Sequence, residues 1–156
     1  MTSTADILDA HPAEAQVCGL VLHQFGGVAS FAGSISTVRC DEDNVVLKRR
    51  LGEPGEGRVL VVDGGGSARV ALLGEMVAGL AAANGWAGLV VNGCVRDSRA
   101  LRRLGVGIKA LGTNPRPSGK AGAGEADVPV EFGGITFRPG AMLYSDDDGV
   151  VVLENG

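Results

Sequence analysis

Three short stretches hold the residues of this chain that can do chemistry. Arg96 and Asp97 stand side by side in NGCVRD, directly after an apolar run that reads as a strand. Ligands of α/β sheets bind beyond the carboxyl ends of strands. There a guanidinium can grip a carboxylate with two hydrogen bonds, and an aspartate offers hard oxygen to a divalent cation. Elsewhere on a surface the same dipeptide is only a solvated ion pair. Upstream, Gly74-Glu75-Met76-Val77 interrupts a helical pattern. A helix restarting at Glu75 would aim the free N–H groups of its first turn at one spot, where a carboxylate can sit with Glu75 at the rim. The plain alternative is an ill-placed glycine beside an exposed glutamate. The third stretch, VVDGGGS, superficially resembles a nucleotide or S-adenosylmethionine loop. Its spacing is GGGS rather than GxGxxG and no GK[ST] follows, which favours a tight strand-to-helix turn.

Other reactive residue types lack a supporting arrangement. With only His11 and His23 in the chain, Cys94 has no partner for a Cys-His pair, and no Ser-His-Asp set is apparent. Cys18, Cys40 and Cys94 show no zinc-ligand spacing. Asp146-Asp147-Asp148-Gly149 lacks an EF-hand pattern and fits a hairpin turn. Arg99, Arg102 and Arg103 fit a solvated helix face.

The elements that must position these residues follow from apolar periodicity. Residues 1–24 predict an N-terminal helical cover broken at Pro12. FGGVASFAGSISTVRC reads as a loop feeding a strand, and Asp41 as the cap of a helix through NVVLKRRLG. RVLVVD is a buried strand. SARVALLGEMVAGLAAANG predicts a helix from Ser67 interrupted at Gly74, with Asn84-Gly85 as its stop. A strand WAGLVVNG, a short helix SRALRRL and a strand GIKALG complete a β-α-β-α-β rhythm. Residues 114–127 read as a polar loop and 128–153 as three short strands with Gly-Gly, Pro-Gly and Asp-Gly turns.

Composition sets outer bounds. A length of 156 residues predicts one domain, 1–156. Glycine is abundant at 26 residues and aromatics scarce at 4%, so the core must be aliphatic, with many tight turns. A net charge of −4 argues against direct nucleic-acid binding. No apolar run reaches the length of a membrane span. The N-terminus lacks the charged and apolar regions of a signal peptide, and an odd cysteine count without CxxC spacing suits a reducing compartment, so a cytoplasmic location is expected.

VVDGGGS, LLGE, AAANGWAGLVVNGCVRD, IKALGTNP and VPVEFGGITFRPGAMLYSDDDGVVV, in this order, resemble the RraA-like family over about Phe25 to Leu153. The resemblance implies an α/β fold, a swivelling β/β/α domain of the phosphohistidine-domain type, assembled as a homotrimer or a dimer of trimers with sites between subunits. It also implies one of two roles. Some members are metal-dependent class II aldolases that cleave 4-hydroxy-4-methyl-2-oxoglutarate to two pyruvates and decarboxylate oxaloacetate. Others are non-catalytic regulators that bind and inhibit ribonuclease E. The enzymes carry an acid, twenty residues, then Arg or Lys and Asp. Glu75, residues 76 to 95, Arg96 and Asp97 complete that pattern, so the resemblance favours the lyase acting on a small oxo-dicarboxylic acid. It implies Asp97 as ligand of Mg²⁺ or Mn²⁺ and Arg96 on the oxo and carboxylate edge. The amides of Gly74, Glu75, Met76 and Val77 then receive the pyruvyl carboxylate, and Glu75 orients a water for proton transfer. Lys120, in the polar loop, becomes a candidate contact for the distal carboxylate.

Overall fold

The computed structural model describes residues 1–154. In chain order its elements are α1 (Thr4–Ala10), β1 (Gln16–Val17), β2 (His23–Gln24), β3 (Phe31–Cys40), α2 (Val45–Leu51), β4 (Val59–Asp63), β5 (Ala71–Leu73), α3 (Glu75–Ala83), β6 (Gly88–Val95), α4 (Ser98–Leu101), β7 (Gly107–Thr113), β8 (Gly124–Ala126), β9 (Val130–Phe132), β10 (Ile135–Phe137), β11 (Met142–Asp146) and β12 (Gly149–Leu153). One mixed ten-stranded sheet runs β1-β12-β11-β3-β4-β6-β7-β2, with β5 beside β6 and β8 beside β3.

Strand β3 is the spine. Its first half pairs antiparallel with β11, and its second half pairs parallel with β4. Of the parallel neighbours β4, β6 and β7, the first two open as continuous apolar runs, VLVV and LVV, because both their faces are covered. Alternate residues divide between two cores. Leu60, Val62, Leu89 and Val91 meet Leu47 and Leu51 of α2 and Val77, Ala78 and Ala81 of α3. On the other face Val59, Val61 and Val90 meet Val130, Phe132 and Phe137 of the β9–β10 hairpin, whose two phenyl rings stack at 4.4 Å. Hairpin, sheet and helices form the β/β/α layering that the resemblance implied.

The structure departs from the sequence-based elements in five places. Residues 67–85 are not one interrupted helix: Ala71–Leu73 are fully buried and pair parallel with β6, so a strand precedes Gly74 and the helix begins at Glu75. The N-terminal cover is helical only over Thr4–Ala10, and β1 and β2 become edge strands against β12 and β7. Asp41 does not cap α2. That role falls to Asp43, whose Oδ1 accepts from the Val45 amide at 3.1 Å. Strand β8 lies inside the polar loop 114–127, paired with β3. The tail holds four strands, β9 to β12, since each of the three predicted turns joins a pair.

Candidate active site

Strands β5 and β6 end together and present the site from their carboxyl ends. The Arg96 amide donates to Leu73 O at 2.9 Å, which fixes the chain leaving β6 against the chain leaving β5. Asp97 then adopts a left-handed conformation, φ 58° and ψ 39°, uncommon outside glycine but tolerated by aspartate. This turn aims its carboxylate back at the start of α3, where Oδ2 accepts from the Glu75 amide at 2.9 Å. The acid caps a helix that follows it in space, not in sequence. Its negative charge also complements the positive end of the α3 dipole.

Gly74 is required by close approach. A Cβ at this position would run into Asp97 Oδ2 and come within 2.9 Å of Arg96 Cγ. The first intrahelical bond of α3 is Ala78 N to Gly74 O. The Glu75 amide is taken by Asp97, leaving the Met76 and Val77 amides as the first-turn donors ahead of that bond. Arg96 is exposed, and its Nη1 reaches Pro115 O only at 3.4 Å. Among the described residues Arg96 and Asp97 form no ion pair with each other, so the solvated-pair alternative does not describe them.

Gly74, Met76, Val77, Arg96 and Asp97 line one cavity of about 190 Å³, together with Lys120. This is below the ~300–1,000 Å³ usual for drug-sized ligands and suits a metabolite of a few carbons. The Glu75 side chain is exposed at the rim, and Met76 is 76% exposed beside it. No group of three or more His, Cys, Asp or Glu able to enclose a metal occurs among the described residues. The donor chemistry nonetheless fits a hard cation: Asp97 keeps Oδ1 free of hydrogen bonds among the described residues, and Mg²⁺ is commonly held by one carboxylate with water and substrate oxygens.

The other sequence candidates resolve as structure. In the glycine loop the amides of Gly64 and Gly66 donate to Asn92 O of β6, and that of Gly65 to Asp63 Oδ1, so the loop spends these donors on the neighbouring strand and its own turn. Asp146–Gly149 closes the β11–β12 hairpin. All three thiols are free and buried. Burial pushes the Cys94 thiol up, and burial with Asp63, Asp43 and Asp41 pushes Cys40 up to about 12, away from nucleophilic character. What sequence reasoning missed is the pair Asp43 and Asn44. Asp43, only 3% exposed, accepts from the amides of Ala121 and Gly122, and Asn44 Oδ1 accepts from Lys120 Nζ at 2.9 Å. A polar pair opening a helix was the available signal.

An α/β sheet with an Arg-Asp turn capping a neighbouring helix over a small polar cavity defines the class, and comparison with known proteins agrees. The RraA-like family, Aldolase/RraA, matches residues 4–152, and this chain belongs to it. That family includes both aldolases and ribonuclease E inhibitors. The chain is similar to a structure from Geobacillus kaustophilus HTA426 described as S-adenosylmethionine:2-dimethylmenaquinone methyltransferase. The two share 46% identity and a TM-score of 0.95, over 98% of this chain and 95% of that one. It is equally similar to the RNA-processing inhibitor RraA from Thermus thermophilus, with 45% identity, TM-score 0.95, and 99% and 93% of the two chains covered. RraAS2 of Streptomyces coelicolor, described as an unusual member of the RNase ES inhibitor RraA family, follows at 31% identity, TM-score 0.81, and 98% and 81% coverage. No helix among the described residues is long and apolar enough to cross a membrane.

Proposed function

We propose that this chain is a divalent-cation-dependent carbon–carbon lyase for small oxo-dicarboxylic acids, cleaving 4-hydroxy-4-methyl-2-oxoglutarate to two pyruvates and decarboxylating oxaloacetate. The observation that carries this is the convergence of Arg96, Asp97 and the first turn of α3 on one small cavity, with the Asp97 carboxylate oriented by the Glu75 amide. In both reactions the C3–C4 bond breaks and its electron pair moves through C3 onto the 2-oxo oxygen. In the aldol cleavage the C4 hydroxyl gives up its proton; in the decarboxylation CO₂ leaves; in each, C3 then takes a proton. A Mg²⁺ or Mn²⁺ ion held by Asp97 would polarise the 2-oxo group.

The remaining roles belong to the chain. The Met76 and Val77 amides receive the pyruvyl carboxylate at the positive end of α3. Arg96 hydrogen-bonds the oxo and carboxylate edge, gaining strength as charge develops on the oxygen. Glu75, at the rim, orients the water that moves the proton. The assembly that suits this reading is a homotrimer or a dimer of trimers of one 1–156 domain, in which a neighbour covers the exposed Met76.

The test is release of pyruvate from oxaloacetate with Mg²⁺ and after chelation. Pyruvate formation that chelator abolishes and Mg²⁺ restores supports the lyase; no metal-dependent release rejects it. A second reading, a regulator that binds ribonuclease E, is favoured by the names of the Thermus and Streptomyces relatives. It predicts that catalytically dead variants still bind the ribonuclease. Methyl transfer, the activity named for the Geobacillus relative, draws no support here from a glycine loop whose amides are already engaged.

A further inference from the structure

Lys109 stands in β7 with only 4% of its surface exposed. A lysine is almost never buried this deeply unless it is paired. Among the described residues no carboxylate lies within ion-pair distance of its ammonium. Its Nζ donates to the main-chain oxygen of Asp146 at 2.6 Å, and two of its three donors stay unspent. Burial pushes this ammonium down from its ordinary value, and the charges of Asp146, Asp147 and Asp148 offset the effect only in part. The Asp146 carboxylate is engaged elsewhere, by the Thr4 amide and hydroxyl and the Asp148 amide. A cation held this deep lacks its anion.

Lys109 lines a cavity of about 260 Å³ that shares no residue with the one holding Arg96 and Asp97. It lies between the segment that joins β1 to β2 and the turn of the β11–β12 hairpin. The first of these gives it apolar walls, Leu20, Val21 and Leu22 among them, and the second gives it Asp147 and Asp148. Both acids are exposed, and neither forms an ion pair among the described residues. Val21 is 76% exposed at the same place, an apolar side chain left open to water. A simple anion bound at Lys109 would sit against two carboxylates, and a simple cation drawn by those carboxylates would meet the ammonium. A molecule that carries both charges at one end and a branched hydrocarbon at the other satisfies the lysine, the acids and the apolar wall together.

We propose that this cavity binds a free aliphatic α-amino acid, with its carboxylate on Lys109, its ammonium toward Asp147 and Asp148, and its side chain against Leu20, Val21 and Leu22. The volume, just below the ~300–1,000 Å³ usual for drug-sized ligands, suits a molecule of that size. The site is separate from the lyase cavity and does not depend on what that cavity does.

Calorimetry on the full chain compares L-leucine with 4-methylpentanoate, which lacks its amino group, and with 3-methylbutylamine, which lacks its carboxylate. Wild type should bind leucine about tenfold tighter or more than either analogue, as expected where each charge makes one charge-assisted contact. Lys109→Met should weaken leucine by about tenfold or more while the melting temperature holds or rises, because an apolar side chain then replaces an unpaired buried charge. A lysine kept only for the fold would give the opposite shift in melting. Asp147→Asn combined with Asp148→Asn, at two exposed positions, should weaken leucine and spare 4-methylpentanoate, which keeps the test decisive should Lys109→Met melt early. Pyruvate release from oxaloacetate should be the same in wild type and in all these variants. Absence of saturable leucine binding by wild type, leucine bound no better than 4-methylpentanoate, or an unchanged leucine Kd in folded Lys109→Met overturns the site and leaves the lyase reading untouched. A light-scattering mass that falls in Val21→Ser, with no leucine bound by wild type, overturns it in favour of a second copy of this chain covering the same surface.

Discussion

Asp97 performs two jobs with one carboxylate. Oδ2 caps α3 through the Glu75 amide, and Oδ1 remains for a ligand. The two are separable by choice of substitution. Asp97→Asn preserves an oxygen acceptor and a residue that tolerates the left-handed backbone, but it removes the charge that attracts a cation. Pyruvate release should fall roughly 10²-fold or more, with the melting temperature shifted only slightly. Asp97→Ala loses the cap and places alanine at φ 58°, so it should lose the same activity and about 1–3 kcal/mol of stability as well. Thermal melts beside decarboxylation rates decide this. Near wild-type turnover in folded Asp97→Asn would reduce the residue to a helix cap and bring the regulator reading forward.

At the scale of elements, the parallel strands were legible because their burial is written as unbroken apolar runs, RVLVV and GLVV among them. The stretch around Gly74 was not. ALL is three residues long, and a short apolar run cannot be told from helix by periodicity; what makes it β5 is the stretch of β6 beyond the end of β4, where Ala71 pairs with Cys94 and Leu73 with Val95. Edge strands β1 and β2 were hidden for the same reason, since their partners lie at the far end of the chain or across the sheet. The candidate site was half legible: the spacing of Glu75, Arg96 and Asp97 stood in the sequence, whereas the clamp between Asp43 and residues 121–122 is a non-local contact. Gly74 links the two levels. It reads as a helix fault, and its function is to let β6 and α3 touch. Gly74→Ala should therefore push Asp97 and Arg96 away from the start of α3 and lower kcat/KM by about 10²-fold, since a displacement near 1 Å can cost that much. Steady-state kinetics with retained melting behaviour would bear this out; unchanged kcat/KM would mean the close approach is incidental.

For the whole molecule, assembly and pH response are the accessible handles. A homotrimer or its pair predicts a light-scattering mass of three or six chains at micromolar concentration, and a monomer would remove any contribution of a neighbour to the site. Three carboxylates are depressed in the folded state: Glu42, held low by the Ser67 hydroxyl and the Arg69 guanidinium, and two others at separate places whose effects can be told apart. Burial raises Asp146, but bonds from the Thr4 amide and hydroxyl and the Asp148 and Gly149 amides outweigh it and hold the group below 3.8. Asp43 is held below 3.8 in the same way, by amides of the loop that carries Lys120. A carboxyl depressed in the folded state contributes stability that is complete above its unfolded value and is lost as pH falls through the lower folded one. Stability should therefore decline from about pH 4 downwards. Asp146 ties α1 to the β11–β12 hairpin, whereas Asp43 ties down a wall of the cavity. Asp146→Asn should lower the melting temperature at pH 7 and flatten its fall between roughly pH 4 and 2, with kcat/KM for oxaloacetate unchanged. Asp43→Asn should flatten the same acid limb and raise KM as well, because Lys120 loses its platform. Melting curves across this pH range, paired with kinetics at pH 7, separate the two. Equal kinetic effects of both substitutions would mean that the loop senses global stability and not the Asp43 clamp.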